Sequence, residues 1–226
     1  MSDISHNTQE NSRRLARLDA CAVSDALDRL SLHGCVTGLI AALPGRRISG
    51  RVHTVKLAAG NSAVTAAPPR HLGTTAIEAC AAGEIIVVEQ RTGIDAGCWG
   101  GILSRGAHAR GVAGVIADGL ARDVDEAREL GFPLFCRGFT ARTARGRVHE
   151  VATDEPVRIG DVEVHPGDFA VADSSAAVFI PAARLGEVLD VAESIAAREA
   201  AMAARIAAGH AISVVMGADY EHMLKK

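Results

Sequence analysis

Ala96–Glu126, AGCWGGILSRGAHARGVAGVIADGLARDVDE, reads as a glycine-rich turn, a short helix, an apolar strand and a polar turn entering a second helix. Trp99-Gly100-Gly101-Ile102-Leu103 is expected to open the first helix, with glycines that let backbone N–H groups approach a ligand closely. Gly114-Val115-Ile116-Ala117 has the length and character of a buried strand. Asp118-Gly119 is then expected to turn the chain and deliver Arg122-Asp123 at the strand's carboxyl end, where α/β proteins commonly bind ligands. Helix, parallel-type strand and helix in succession set an α/β class. They also bring an anion-binding backbone, a guanidinium and a carboxylate together, which suits a metal-bound oxo acid.

Working outward, Glu84–Glu89 is a second apolar run, expected to be a strand buried on both faces. Ile48–Leu57 is β-branched and reads as another strand. Thr74–Ala82 is a short helix with Gly83 suited to its C-terminal cap. Arg14–Leu32 carries Leu15, Leu18, Val23, Leu27 and Leu30 at helical spacing, and Ser24-Asp25 interrupts that face. Those two residues either cap a second helix or place Asp25 in a site. Val124–Leu130 is a helix and Phe132–Cys136 a strand. The pattern then changes to short strands at Arg147–Ala152, Val157–Ile159, Val162–Val164, Phe169–Ala172 and Ala177–Ile180, divided by Gly160-Asp161 and Pro166-Gly167-Asp168 turns. Pro181–Ala208 is a long Ala-rich helix ended by Gly209, placed to pack on a neighbouring subunit. One domain over residues 1–226 is expected, with 1–11 flexible.

The 226 residues are 48% hydrophobic but only 3% aromatic, so Ala, Val, Leu and Ile must build the core. A net charge of −3 leaves no electrostatic footprint for nucleic acid. Cys21, Cys35, Cys80, Cys98 and Cys136 show no C-x-x-C pairing and read as reduced thiols, with a zinc site not expected. The polar start lacks a secretory signal, and no run reaches the roughly 18 apolar residues of a membrane span, so a cytoplasmic protein is expected.

Walker-type, strand-led dinucleotide, zincin and nucleophile-elbow motifs are all missing. A Schiff-base route would rest on Lys56 alone, since the other lysines are Lys225 and Lys226. Carbonyl chemistry here therefore points to a metal ion. For Arg122-Asp123-Val124-Asp125-Glu126 two readings stand together. In one, Asp123 caps the helix and Glu126 completes a capping box. In the other, Asp123 holds a divalent cation and Arg122 clamps a carboxylate.

Gly101, twenty intervening residues, Arg122-Asp123, two more and Glu126 resemble the G-x20-R-D-x2-E/D signature of the class II 4-hydroxy-4-methyl-2-oxoglutarate (4-carboxy-4-hydroxy-2-oxoadipate) aldolases, which share the RraA-like fold. Ser24–Leu27, Gly50–Val55, Gly111–Gly114, Phe132–Phe135 and Val164–Asp168 extend the resemblance over most of the chain. The resemblance implies a swivelling β/β/α domain with a long C-terminal helix, assembled as a homotrimer or a dimer of trimers. It implies a lyase releasing pyruvate from a 4-hydroxy-2-oxo acid, with oxaloacetate decarboxylation as a side activity. Asp123 would be the one protein ligand of Mg²⁺ or Mn²⁺, Arg122 a substrate-binding and catalytic residue, and Glu126 the group ordering metal-bound waters. Backbone N–H groups of Gly100, Gly101, Ile102 and Leu103 would receive the substrate carboxylate. Glu199 of a neighbouring subunit, with Glu193 as fallback, would complete the site. Arg70 has two readings, a partner for a distal carboxylate or a solvated loop arginine, and Asp173-Ser174-Ser175-Ala176 departs from the family's usual acidic, glycine-containing turn. The rival implication is a non-catalytic RraA-like regulator of a ribonuclease complex, which resembles the signature but lacks the acid at the Glu126 position. A methyltransferase role finds no glycine-rich nucleotide loop to support it.

Overall fold

The computed structural model describes residues 10–61 and 70–217. Its centre is β3 (Ile48–Ala59), a strand of 12 residues that belongs to both halves of one curled sheet. The first residues of β3 pair antiparallel with β11 (Phe169–Ala172), which pairs with β12 (Ala177–Ile180), and β12 with the two-residue β1 (Cys35–Val36). Beyond Arg51 the same strand runs parallel to β4 (Ile85–Glu89), followed by β6 (Gly114–Ala121) and β7 (Leu134–Phe139). Strand β2 (Ile40–Ala41) edges β7, β5 (Gly97–Trp99) lies beside the end of β6, and β8 (Val148–Thr153) beside the end of β3. A separate hairpin, β9 (Val157–Ile159) with β10 (Val162–Val164), turns through Gly160-Asp161 as the sequence predicts.

Alternation along β4 explains its unbroken apolar run. Ile86 and Val88 join the core beneath helices α2 (Thr74–Ala79), α3 (Gly101–Ala109) and α4 (Val124–Glu129), whereas Ile85 and Val87 face an inner core closed by Val157, Ile159, Val162 and Val164 of the hairpin. Each such Ile or Val burial contributes about 1.5–3 kcal/mol, so the strand is held from both sides. A third core lies between β11, β12 and two helices, α1 (Ala20–Arg29) and α5 (Leu185–Ala207).

Several local expectations change. Ser24 and Asp25 sit inside α1, which begins at Asp19; the Asp19 side chain accepts from the Ala22 N–H at 2.8 Å. Asp173 accepts from the Ala20 N–H at 2.9 Å and from Ser175 N–H at 2.8 Å, so the departing 173–176 turn anchors α1. The first half of α5 buries Leu185, Val188, Leu189, Ala192 and Ile195 on its own chain rather than presenting them to a neighbour. Its far end and the short α6 (Ile212–Val215) leave Ile206, Ile212 and Val214 exposed. Asp118-Gly119 is not a turn but part of β6, and Trp99 ends β5 instead of opening α3. Residues 10 and 11 are helical; the flexible segment expected before them, and Pro68-Pro69, lie outside the described residues.

Candidate active site

Parallel pairing of β5 with the end of β6 creates the site. The Arg122 N–H donates to the Trp99 carbonyl at 2.9 Å, which sets Arg122-Asp123 against Gly97–Gly101. The contact is so close that side chains are excluded. A Cβ on Gly97 would stand 2.9 Å from Arg122 Cγ, and one on Gly100 3.0 Å from Asp123 Oδ2. On Gly101 it would stand 2.5 Å from Glu126 Oε2 and 3.1 Å from Asp123 Cβ. The spacing from Gly101 to Arg122, Asp123 and Glu126 is thus a packing relation: one helix start lies flat against the next.

The capping-box expectation fails for a clear reason. Asp123 has φ 54° and ψ 40°, in the left-handed region, and its side chain makes no cap hydrogen bond. That backbone turns the carboxylate across to α3, where Oδ2 accepts from the Gly101 N–H at 3.0 Å. Arg122 Nε lies 3.2 Å from Oδ2 and 3.3 Å from Oδ1. A non-glycine residue in this conformation is uncommon, and aspartate tolerates it better than most. Gly101 N–H, expected to receive a substrate carboxylate, is therefore taken by Asp123. Ile102 and Leu103 N–H groups, in the first turn of α3, have no intrahelical partner. Glu126 Oε2 is held by Arg105 Nε at 3.1 Å, at the rim rather than turned to Asp123.

Gly97, Trp99–Leu103, Arg122 and Asp123 line a cleft of about 280 Å³ together with His71, Leu72 and Thr143–Arg145, and Glu126 is not among its lining residues. Ile102 is 81% exposed at its mouth, while Leu103 is buried. Trp99 forms the buried floor, its indole N–H donating to Ser104 Oγ at 3.1 Å, and that hydroxyl donates to the Gly100 carbonyl. Sequence reasoning missed Ser104; the signal was a tryptophan whose N–H needs a partner once buried. It also missed Arg145, whose side chain has no partner among the described residues and lines the cleft. Arg70 is instead committed to Glu78 at 3.1 Å.

Within this chain the other residues singled out by sequence stand away from the cleft, and the role expected of Glu199 concerns a neighbouring copy. Lys56 stands on β3 at 3.9 Å from Glu89. Glu193 is bound by Arg14 at 2.7 Å, which holds its carboxyl below the usual range. Glu199 lies on α5 with its carboxyl pushed up by partial burial and by the nearby Asp25 and Asp19. Asp25 is itself raised by burial, then by Asp28 and Asp19.

Asp123 fits a hard divalent cation. It offers one partly exposed carboxylate in a cleft with room for water, and Mg²⁺ is commonly held by one or two carboxylates with waters and substrate in the other positions. A wider hollow of about 460 Å³ surrounds Asp118, yet that carboxylate is already satisfied by Arg137 Nε at 2.6 Å and the Gly160 N–H at 2.8 Å.

The protein DlpA of Legionella pneumophila is 27% identical over 197 residues, covering 87% of this chain; the chain spans only 32% of DlpA's length. A 4-hydroxy-4-methyl-2-oxoglutarate aldolase of Thermus thermophilus is 30% identical over 139 residues, covering 60% of this chain and 76% of that protein. The structure of Streptomyces coelicolor RraAS2, described as an unusual member of the RNase ES inhibitor RraA protein family, superposes with a TM-score of 0.78. That match is 29% identical and covers 87% of this chain and 98% of RraAS2. Residues 20–179 match the RraA-like family pattern, described as Aldolase/RraA. The chain belongs to the RraA-like family.

Proposed function

We propose that this chain is a divalent-metal-dependent lyase that cleaves a 4-hydroxy-2-oxo acid to pyruvate and a second carbonyl compound, with oxaloacetate decarboxylase side activity. The observation that carries the reading is Asp123: a left-handed aspartate whose carboxylate is directed into a cleft instead of capping its own helix. Asp123 would hold Mg²⁺ or Mn²⁺, with Gly101 N–H and Arg122 Nε fixing the carboxylate's orientation. When bound, the ion supplies Lewis acidity toward the 2-oxo acid's carbonyl and carboxylate. The Ile102 and Leu103 N–H groups, at the positive end of α3, bind the substrate carboxylate. Arg122 keeps both terminal nitrogens unpaired among the described residues, and donates them to the substrate where negative charge develops. Arg145 and His71, across the cleft, are placed to meet the part of the substrate beyond C4. Glu126, tied to Arg105, holds the start of α4 against Gly101.

Likeness to an aldolase over 60% of the chain supports this chemistry, and likeness to RraAS2 favours a second reading as a regulator that binds a protein partner. Exposed Ile206, Ile212 and Val214 at the chain's far end support assembly with further copies, as a trimer or a dimer of trimers. Trp99 provides the test, since it is the sole tryptophan and forms the floor of the cleft. Its fluorescence is expected to change on addition of oxalate, a planar mimic of pyruvate enolate, when Mg²⁺ is present and not when EDTA replaces it. An oxalate response indifferent to the cation would remove the metal from the reading, and no response at all would favour the regulator.

A further inference from the structure

The amino ends of the parallel strands, opposite the cleft, carry a second cluster whose residue types differ from those around Asp123. His53 comes from β3, Cys80 from the residue that ends α2, and Glu84 from the turn before β4. His nitrogen, Cys sulfur and Glu oxygen all lie within 4.8 Å of one another. We propose that His53 Nε2, Cys80 Sγ and Glu84 Oε2 form a binding site for a borderline-soft divalent transition metal ion, of which Zn²⁺ is the type. The inference is independent of the lyase reading.

Geometry supports it first. A tetrahedral ion with ligand bonds of about 2.0–2.3 Å needs its ligand atoms roughly 3.3–3.8 Å apart. His53 Nε2 and Glu84 Oε2, now 2.9 Å apart, must therefore separate by about half an ångström, with Cys80 Sγ, within 4.8 Å of both, settling at a similar ligand spacing, for such an ion to enter. The surroundings support it next. Asp154 Oδ1 accepts from His53 Nδ1–H at 3.0 Å and fixes the ring, so that Nε2, which now faces Glu84 Oε2, would bind the ion in exchange for its proton. Metal-bound histidines almost always have such a partner on the other ring nitrogen. Glu84 Oε2 is oriented by the Ala81 N–H at 2.8 Å, and Arg110 Nη2 donates to the Glu78 carbonyl at 2.6 Å, steadying the end of α2.

Charge and access complete the case. Burial, then Glu84 and Asp154, push the Cys80 thiol up to about 12 against the opposing pull of Arg110, so the ion would displace its proton. Bound, the divalent ion with Arg110 and Arg51, whose Nη1 is 3.6 Å from Glu84 Oε1, would offset the thiolate and the two carboxylates. Cys80 is buried, whereas the His53 and Glu84 side chains are 13% and 17% exposed, which opens one edge to solvent and a fourth, water ligand. Sulfur and imidazole select against Mg²⁺, so this site and Asp123 discriminate between metals. Sequence spacing gave no sign of it, because the three ligands lie on three elements and share no C-x-x-C or H-x3-H pattern.

Cobalt titration of the full chain, after chelator treatment and dialysis, tests the proposal. Co²⁺ is expected to produce visible d–d bands of tetrahedral cobalt and a near-ultraviolet thiolate-to-cobalt charge-transfer band, both displaced by Zn²⁺. Cys80→Ser should lose the charge-transfer band, and Asp154→Asn should keep it while weakening cobalt affinity about 10- to 100-fold. Asp123→Asn should leave both bands unchanged. A band that survives in Cys80→Ser would place cobalt on another thiol, of which Cys21 is exposed and Cys35 half-buried, and overturn the assignment. So would the absence of any tetrahedral cobalt spectrum in the wild type. Should Cys80→Ser fail to fold, as judged by circular dichroism, His53→Gln decides the matter by losing or keeping the tetrahedral spectrum.

Discussion

Asp123→Asn is expected to lower kcat/KM for a 2-oxo acid by about 10²- to 10³-fold, with the melting temperature close to that of the wild type. Asparagine is the informative replacement because it tolerates the left-handed conformation at φ 54° and retains an oxygen to accept from the Gly101 N–H. What it removes is charge: the anionic ligand for a cation and the partner of Arg122. Alanine would mix that loss with about 1–2 kcal/mol of backbone strain. Steady-state kinetics beside thermal unfolding separate the two effects. Unchanged kcat/KM in a folded Asp123→Asn protein would mean that the carboxylate has no part in catalysis.

Gly50→Ala is expected to lower stability sharply. A Cβ at residue 50 would stand 2.3 Å from the Gly83 carbonyl oxygen, with Gly83 C and Glu84 Cα at 3.4 and 3.5 Å. Every atom it meets is backbone, so no side chain can swing aside. Gly50 also pairs with Ala170 in β11, just before β3 turns to its parallel partner β4. Displacing it disturbs both halves of the sheet. Overpacking commonly costs about 1–3 kcal/mol, and a backbone clash at this junction belongs at or above the top of that range. For a chain of this size about 3 kcal/mol lowers Tm by roughly 6–12 °C. Gly186→Ala is the control: it lies in α5, nothing stands within 4 Å of its added Cβ, and the substitution should raise stability by about 0.5–1 kcal/mol. Calorimetry of the three proteins gives the comparison. Equal Tm values for wild type and Gly50→Ala would show that the Gly50–Gly83 approach does not constrain the fold.

Signals intrinsic to one segment were readable from sequence, and signals created by tertiary pairing were not. The double-sided burial of Ile85–Val88 follows from its unbroken apolar run, and the β9–β10 hairpin from the Gly160-Asp161 turn between short β-branched stretches. The relation of Gly101 to Arg122, Asp123 and Glu126 was visible as spacing, though its cause, two helix starts in contact, was not. Strand β5 escaped because three residues, one of them glycine, carry no periodicity; pairing with the end of β6 makes it a strand. Asp118-Gly119 looked like a turn by local chemistry. In the fold Arg137 and Gly160 N–H satisfy Asp118, and a Cβ on Gly119 would stand 2.7 Å from Gln90 Cβ, so the pair is needed within β6. The capping box failed in the same way. Its residues were right for a cap, but a left-handed backbone at Asp123 sent the carboxylate to the neighbouring helix.

Pyruvate release by the wild-type chain, measured from 4-hydroxy-4-methyl-2-oxoglutarate and from oxaloacetate, tests the central claim most directly. Release should occur with Mg²⁺ or Mn²⁺, cease on chelation with EDTA and return when excess metal is restored. A folded protein that released no pyruvate from either acid, or that released it equally well in EDTA, would contradict a metal-dependent lyase built on Asp123.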